Sequence, residues 1–112
     1  MKSRYPLLLA LLATAVIVPM VLAVSTPRKI LFFTKSSGYE HSVISWKDGK
    51  PSHAEKVLLE LGKKNGWEFT FSKDGSLFSP EYLAQFDAVM FYTTGDLCSP
   101  GTDGNPPMTM EG

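Results

Sequence analysis

The chain has 112 residues, 44% hydrophobic and 20% charged, and its eleven basic residues are matched by eleven acidic ones. That composition is globular and excludes disordered and collagen-like classes, the length allows one small domain at most, and the even charge offers no basic surface to nucleic acid. A single Cys excludes an internal disulfide framework and any multi-Cys zinc site, and two His are a thin supply of metal ligands.

The first predicted element is an export signal. Lys2 and Arg4 form a short positive region, and residues 7–23 follow as an uncharged apolar run. Val21-Leu22-Ala23 places small residues where a signal peptidase cuts, so cleavage is expected after Ala23. The competing reading is an uncleaved anchor, because residues 7–24 reach the lower edge of a membrane-spanning length. No Cys stands near the site for lipid attachment, and no Arg-Arg pair supports export of a folded, cofactor-loaded protein. Cleavage leaves residues 24–112 as one α/β domain with a net charge of about −2. In an oxidising compartment Cys98 has no partner in its own chain, and it is expected to be small and partly buried.

Residues 30–34, Ile-Leu-Phe-Phe-Thr, form a continuous apolar run, the pattern of a strand buried on both faces. Residues 35–50 are polar and contain two glycines, so a long loop is expected. Ser52 and Glu55 have the spacing of a capping box, and Ala54, Val57, Leu58 and Leu61 share one helix face. Lys56, Glu60, Lys63 and Lys64 make the solvated side, and Asn65-Gly66 ends the helix. Residues 67–71, Trp-Glu-Phe-Thr-Phe, alternate as a strand near a sheet edge does. Lys73-Asp74-Gly75 turns the chain, and Ser79-Pro80-Glu81 starts a short helix expected to reach Gln85. Residues 88–92 read as a third buried strand. Residues 98–107 are a Pro-, Gly- and Asp-rich loop in which Asp103-Gly104 is a turn signal, and residues 108–112 resemble the opening of a helix.

Alternating strands and helices predict a parallel sheet with crossover helices. Three strands leave the third short of neighbours, so the expectation is a three-layer α/β domain truncated after its third strand.

Ligands of such sheets sit beyond the carboxyl ends of the strands. If the first and third strands are neighbours, the loop over residues 34–41 and the loop over residues 93–96 face one crevice. Hydroxyls, the Lys35 amine, the His41 imidazole and the Asp96 carboxylate then converge, a mixture suited to a small polar ligand such as a sugar. The alternative is ordinary loop polarity satisfying nearby backbone. His41 is the candidate general base, since imidazole is the side chain that titrates near neutrality; the alternative is a packed loop His. Asp96 either accepts bonds from sugar hydroxyls or caps the next turn. His53 adjoins the helix cap and is expected to be structural, and the two His lack metal-motif spacing. Cys98 lacks the small residues and the following helix of a nucleophile elbow, and no nucleotide-binding glycine motif occurs. No metal or cofactor is therefore expected.

The segment from Lys29 to His41 (Lys-Ile-Leu-Phe-Phe-Thr-Lys-Ser-Ser-Gly-Tyr-Glu-His), the Ser52-His-Ala-Glu55 helix start and Tyr92-Thr-Thr-Gly-Asp96 together resemble ThuA-like domains, the trehalose-utilisation family. Pro100-Gly-Thr-Asp103 and Asn105-Pro-Pro-Met108 resemble exported bacterial members. The resemblance covers nearly all of residues 28–112. It implies a class I glutamine amidotransferase-like, flavodoxin-like fold of more than 200 residues, of which this chain holds the N-terminal part. It also implies sugar metabolism without the amidotransferase Cys, and presumed site positions at His41, Thr94, Gly95 and Asp96. The expected partner is a small-molecule sugar or glycoside, with membrane contact only through the signal segment if it is uncleaved. Three outcomes follow: an exported sugar-processing domain, a sugar-binding or accessory module without chemistry, or an inactive truncated product.

Overall fold

A computed structural model describes residues 25–111; the export signal expected over residues 1–23 lies outside them. The chain runs β1 (Arg28–Phe33), α1 (His53–Asn65), β2 (Trp67–Ser72), a single 3-10 turn (Gly75–Leu77), α2 (Pro80–Leu83) and β3 (Ala88–Phe91). The sheet is parallel throughout, in the order β2-β1-β3. This is a small mixed α/β fold, as the alternating pattern predicts.

The apolar run makes β1 the central strand. Its last three residues are buried, and its side chains alternate between two clusters. Leu31 and Phe33 pack with Phe78, joined by Tyr82, Phe86 and Val89. Phe32 points the other way, onto Ile44 and Leu58. Phe33 lies edge-on to Phe78 with ring centroids 4.6 Å apart, a favoured aromatic geometry.

α1 forms where its sequence says it should. Ser52 accepts the Glu55 N–H, and the Glu55 carboxylate accepts the Ser52 N–H at 2.6 Å, completing the capping box. Gly66 ends the helix in the left-handed region at φ 70°. The helix returns so closely to the sheet that a Cβ on Gly62 would lie 2.6 Å from the Trp67 carbonyl. The apolar stripe is only partly covered: Leu58 is buried, whereas Val57 and Leu61 stay exposed. β2 is an edge strand, in line with its alternation.

Four expectations are corrected. α2 stops at Leu83 rather than Gln85, because Gln85 and Phe86 donate to Tyr82 and Leu83, tightening the turn. That turn carries Asp87 to β1, where its N–H bonds the Lys29 carbonyl at 2.7 Å and its carboxylate accepts the Lys29 N–H. β3 is not buried: it pairs with β1 alone, and Met90 and Phe91 are exposed. Cys98 is exposed, because it lies in a turn beyond β3. Residues 108–111 show only a turn at their end and no helix.

Candidate functional site

Crossovers leave β1 toward β2 on one side and reach β3 on the other, so the carboxyl ends of β1 and β3 form the switch point where open α/β sheets bind ligands. The structure joins the two loops there. Ser36 and Thr94 form a parallel bridge, Ser37 N–H donates to the Thr94 carbonyl at 2.8 Å, and the Thr94 hydroxyl donates to the Tyr39 carbonyl. Gly95 has φ 74°, and any Cβ there would overlap the Ser37 carbonyl. Thr94 and Gly95 thus build the junction itself.

The other two predicted residues face outward from it. His41 is exposed and packs between two rings, perpendicular to Tyr39 at 5.0 Å and tilted against Tyr92 at 5.5 Å between centroids. Its imidazole takes no hydrogen bond among the described residues. Asp96 is exposed, and its Oδ1 accepts the Cys98 N–H at 2.9 Å. Its carbonyl accepts the Ser99 N–H and hydroxyl. The Asp96 Oδ2 has no partner among the described residues. The structure brings His41 and Thr94 together through Tyr39, whereas Asp96 bonds within its own loop.

Lys35 does not join this surface. It is fully buried, with Nζ donating to the Asn105 carbonyl at 2.9 Å and lying 3.8 Å from Asp103 Oδ1. Asp103 also accepts the Ser36 N–H at 2.8 Å and the Asn105 N–H at 2.9 Å. Burial pushes the Asp103 carboxyl up, but the Ser36 and Asn105 donors and the Lys35 ammonium outweigh burial and hold it below the usual carboxylate range. The Pro-, Gly- and Asp-rich segment is therefore a strap across the end of the sheet. It is tied also by Thr102 to Gly38, by Ser99 to Ser37 and by the Pro106 carbonyl to Gly75 N–H. Asp103-Gly104 is the expected turn, with Gly104 at φ 74°, and in addition the anchor of the strap.

A second buried lysine fixes the other side. Lys73 Nζ donates to the Thr34 carbonyl at 3.0 Å, pairs with Glu40 at 3.1 Å and sits 5.2 Å from the Trp46 ring centre. Trp46 Nε1 in turn donates to Glu55 at 2.8 Å. The first loop is thereby tied to the end of β2 and the start of α1.

Sequence reasoning missed Lys73, Glu40 and Asp103 as partners and the aromatic pair Tyr39 and Tyr92. One signal was available: Lys35 follows a buried strand directly, so its amine needs a partner. His53 is exposed at the first position of α1. Below Tyr92 an apolar cleft of about 380 Å³ runs between α1 and β3, past Val57 and Met90. Among the described residues no three His, Cys, Asp or Glu side chains gather as a metal site. With both lysines facing carboxylates, the open surface offers aromatic faces, an imidazole and one carboxylate.

These features define a parallel α/β sheet with its candidate site at the switch point. No family model, curated protein or solved structure matches the chain.

Proposed function

We propose that the chain is an exported protein of the ThuA-like family, with the three-layer class I glutamine amidotransferase-like architecture. On this reading it handles a small-molecule sugar or glycoside at the carboxyl ends of β1 and β3. The observation that carries the reading is the Ser36–Thr94 junction, which brings the loops of His41 and Asp96 to one rim. The mixture at that rim supports it: Asp96 Oδ2 accepts from ligand hydroxyls, and His41 is the candidate general base. Titration of the protein with trehalose and with methyl glucosides tests the reading. Asp96→Ala is expected to weaken binding about tenfold, the loss of one hydrogen bond to a charged group. Unchanged affinity returns Asp96 to turn capping alone.

A second reading is a sugar-binding module without chemistry. The surroundings of His41 favour it, because the imidazole packs against Tyr39 and Tyr92 and no acceptor among the described residues orients it as a base. Turnover of the bound sugar separates the two, since a pure binder shows affinity alone.

A further inference from the structure

We propose that a second pocket, between α1 and β2, holds a small quaternary ammonium compound, with Trp46 and Phe71 among its walls and Glu55 as the counter-ion. The pocket has a volume of about 290 Å³, at the lower end of the roughly 300–1,000 Å³ of small-molecule sites. It shares no residue with the rim of His41 and Asp96, so its ligand is distinct from the sugar of the reading above.

The charge at this pocket is unanswered. Asp103 and Glu40 each face a lysine, whereas Glu55, only 4% exposed, has no ammonium or guanidinium within 4 Å among the described residues. Its two oxygens accept one hydrogen bond each, from Trp46 Nε1 at 2.8 Å and from the Ser52 N–H at 2.6 Å, and lone pairs remain. The start of α1 offsets part of the negative charge, and a bound cation offsets the rest. The N–H bond to an anion pushes electron density into the indole, which strengthens its attraction for a cation. That ring already draws one ammonium, since Lys73 Nζ lies 5.2 Å from its centre. The wall beside Trp46 is fixed in advance. Lys50 N–H donates to the Lys47 carbonyl at 2.9 Å, and Asp48 and Gly49 take the positive φ values of a tight hairpin turn, 53° and 68°.

The walls select the class of cation. A primary ammonium seeks three acceptors, and Trp46, Leu59 and Phe71 line the pocket with apolar side chains. Methyl groups on the nitrogen remove that need and pack on the rings. An anionic ligand meets Glu55 as a like charge. Lys50 borders the pocket too, and its ammonium opposes a bound cation.

The test is a titration of the full chain with choline, ethanolamine and 3,3-dimethylbutan-1-ol, the uncharged carbon isostere of choline. Binding is read at the Trp46 indole N–H resonance and by saturation transfer to the ligand methyl or methylene protons. Choline is expected to move the resonance saturably and to bind about fivefold or more tighter than either of the others, the scale of one cation–π contact. Trp46→Leu should weaken choline about tenfold on the same scale, and Glu55→Gln should erase its advantage over the isostere. Lys50→Gln carries the decisive result, because this exposed side chain belongs to no core cluster. Choline should bind that variant about twofold or more tighter, the effect of removing a screened like charge. Equal binding of the isostere overturns the charge selection, and equal binding of ethanolamine overturns the quaternary class. A Trp46 resonance that choline does not move overturns the site, as does a Lys50→Gln variant that binds choline no tighter than the parent.

Discussion

Removing the Asp103 carboxylate should cost the fold more than any exposed charge does. The Asp103 side chain is 3% exposed and serves the Ser36 N–H, the Asn105 N–H and the Lys35 ammonium at once. Asp103→Ala leaves the fully buried Ser36 N–H without its acceptor, worth about 1–3 kcal/mol. It also leaves Lys35 charged and buried with only the Asn105 carbonyl, and breaking a buried pair from one side costs about 3–5 kcal/mol. The two effects overlap, so a total of about 3–5 kcal/mol is expected, a large share of a small domain's stability. Urea unfolding followed by the fluorescence of Trp46 and Trp67 measures it. Pairing the change with Lys35→Met should recover part of the loss, because the uncompensated charge is gone. The exposed Arg28–Asp87 pair is the control, and Arg28→Ala should leave the midpoint in place. A pH series adds a signed check. The folded carboxyl of Asp103 titrates below its ordinary value, so its contribution is complete above the ordinary carboxylate range, about pH 4, and fades as pH falls through the lowered folded value. The parent should therefore lose its advantage over Asp103→Asn in acid and keep it at neutral pH. An Asp103→Ala variant within about 1 kcal/mol of the parent, or a gap to Asp103→Asn that widens in acid, would refute the buried-anchor account.

Gly95→Ala should cost about 2 kcal/mol or more, since it places a side chain at φ 74° and against the Ser37 carbonyl, and thermal unfolding reads the loss. Glu55→Ala should destabilise by about 2–3 kcal/mol, because it frees both the Ser52 N–H and Trp46 Nε1, and a blue-to-red shift of Trp46 emission should report the second. β3 presents an uncharged edge with Met90 and Phe91 exposed, so sedimentation should show concentration-dependent association that Met90→Lys reduces. No change in association with Met90→Lys would mean that this edge is not the contact.

What could be read in advance follows the sequence distance over which each feature is decided. The α1 boundaries are set by Ser52, Glu55 and Gly66, all within the helix or next to it, and they fall where the spacing puts them. The central place of β1 and the edge place of β2 follow from a continuous and an alternating apolar pattern, again local signals. β3 carries the same apolar signature as β1, but burial depends on a neighbour, and β1 alone pairs with it. Of the site, the meeting of the two loops was legible only as a condition on strand order, and the order β2-β1-β3 meets that condition. The fate of the polar groups was not legible. Ser36 meets Asp103 across 67 residues and Lys73 meets Glu40 across 33, and no periodicity encodes such pairs. Electrostatics explains why the pairing had to occur somewhere. An ammonium placed directly after a buried strand is drawn under the loops, and only a carboxylate or a carbonyl offsets its lost hydration. Lys35 and Lys73 are both paired in this way, with Asp103 and Glu40, and the Asp96 carboxylate stays exposed. The same pairing that hides Lys35 and Lys73 therefore removes the expected amine from the crevice and leaves aromatic rings, an imidazole and a carboxylate exposed there.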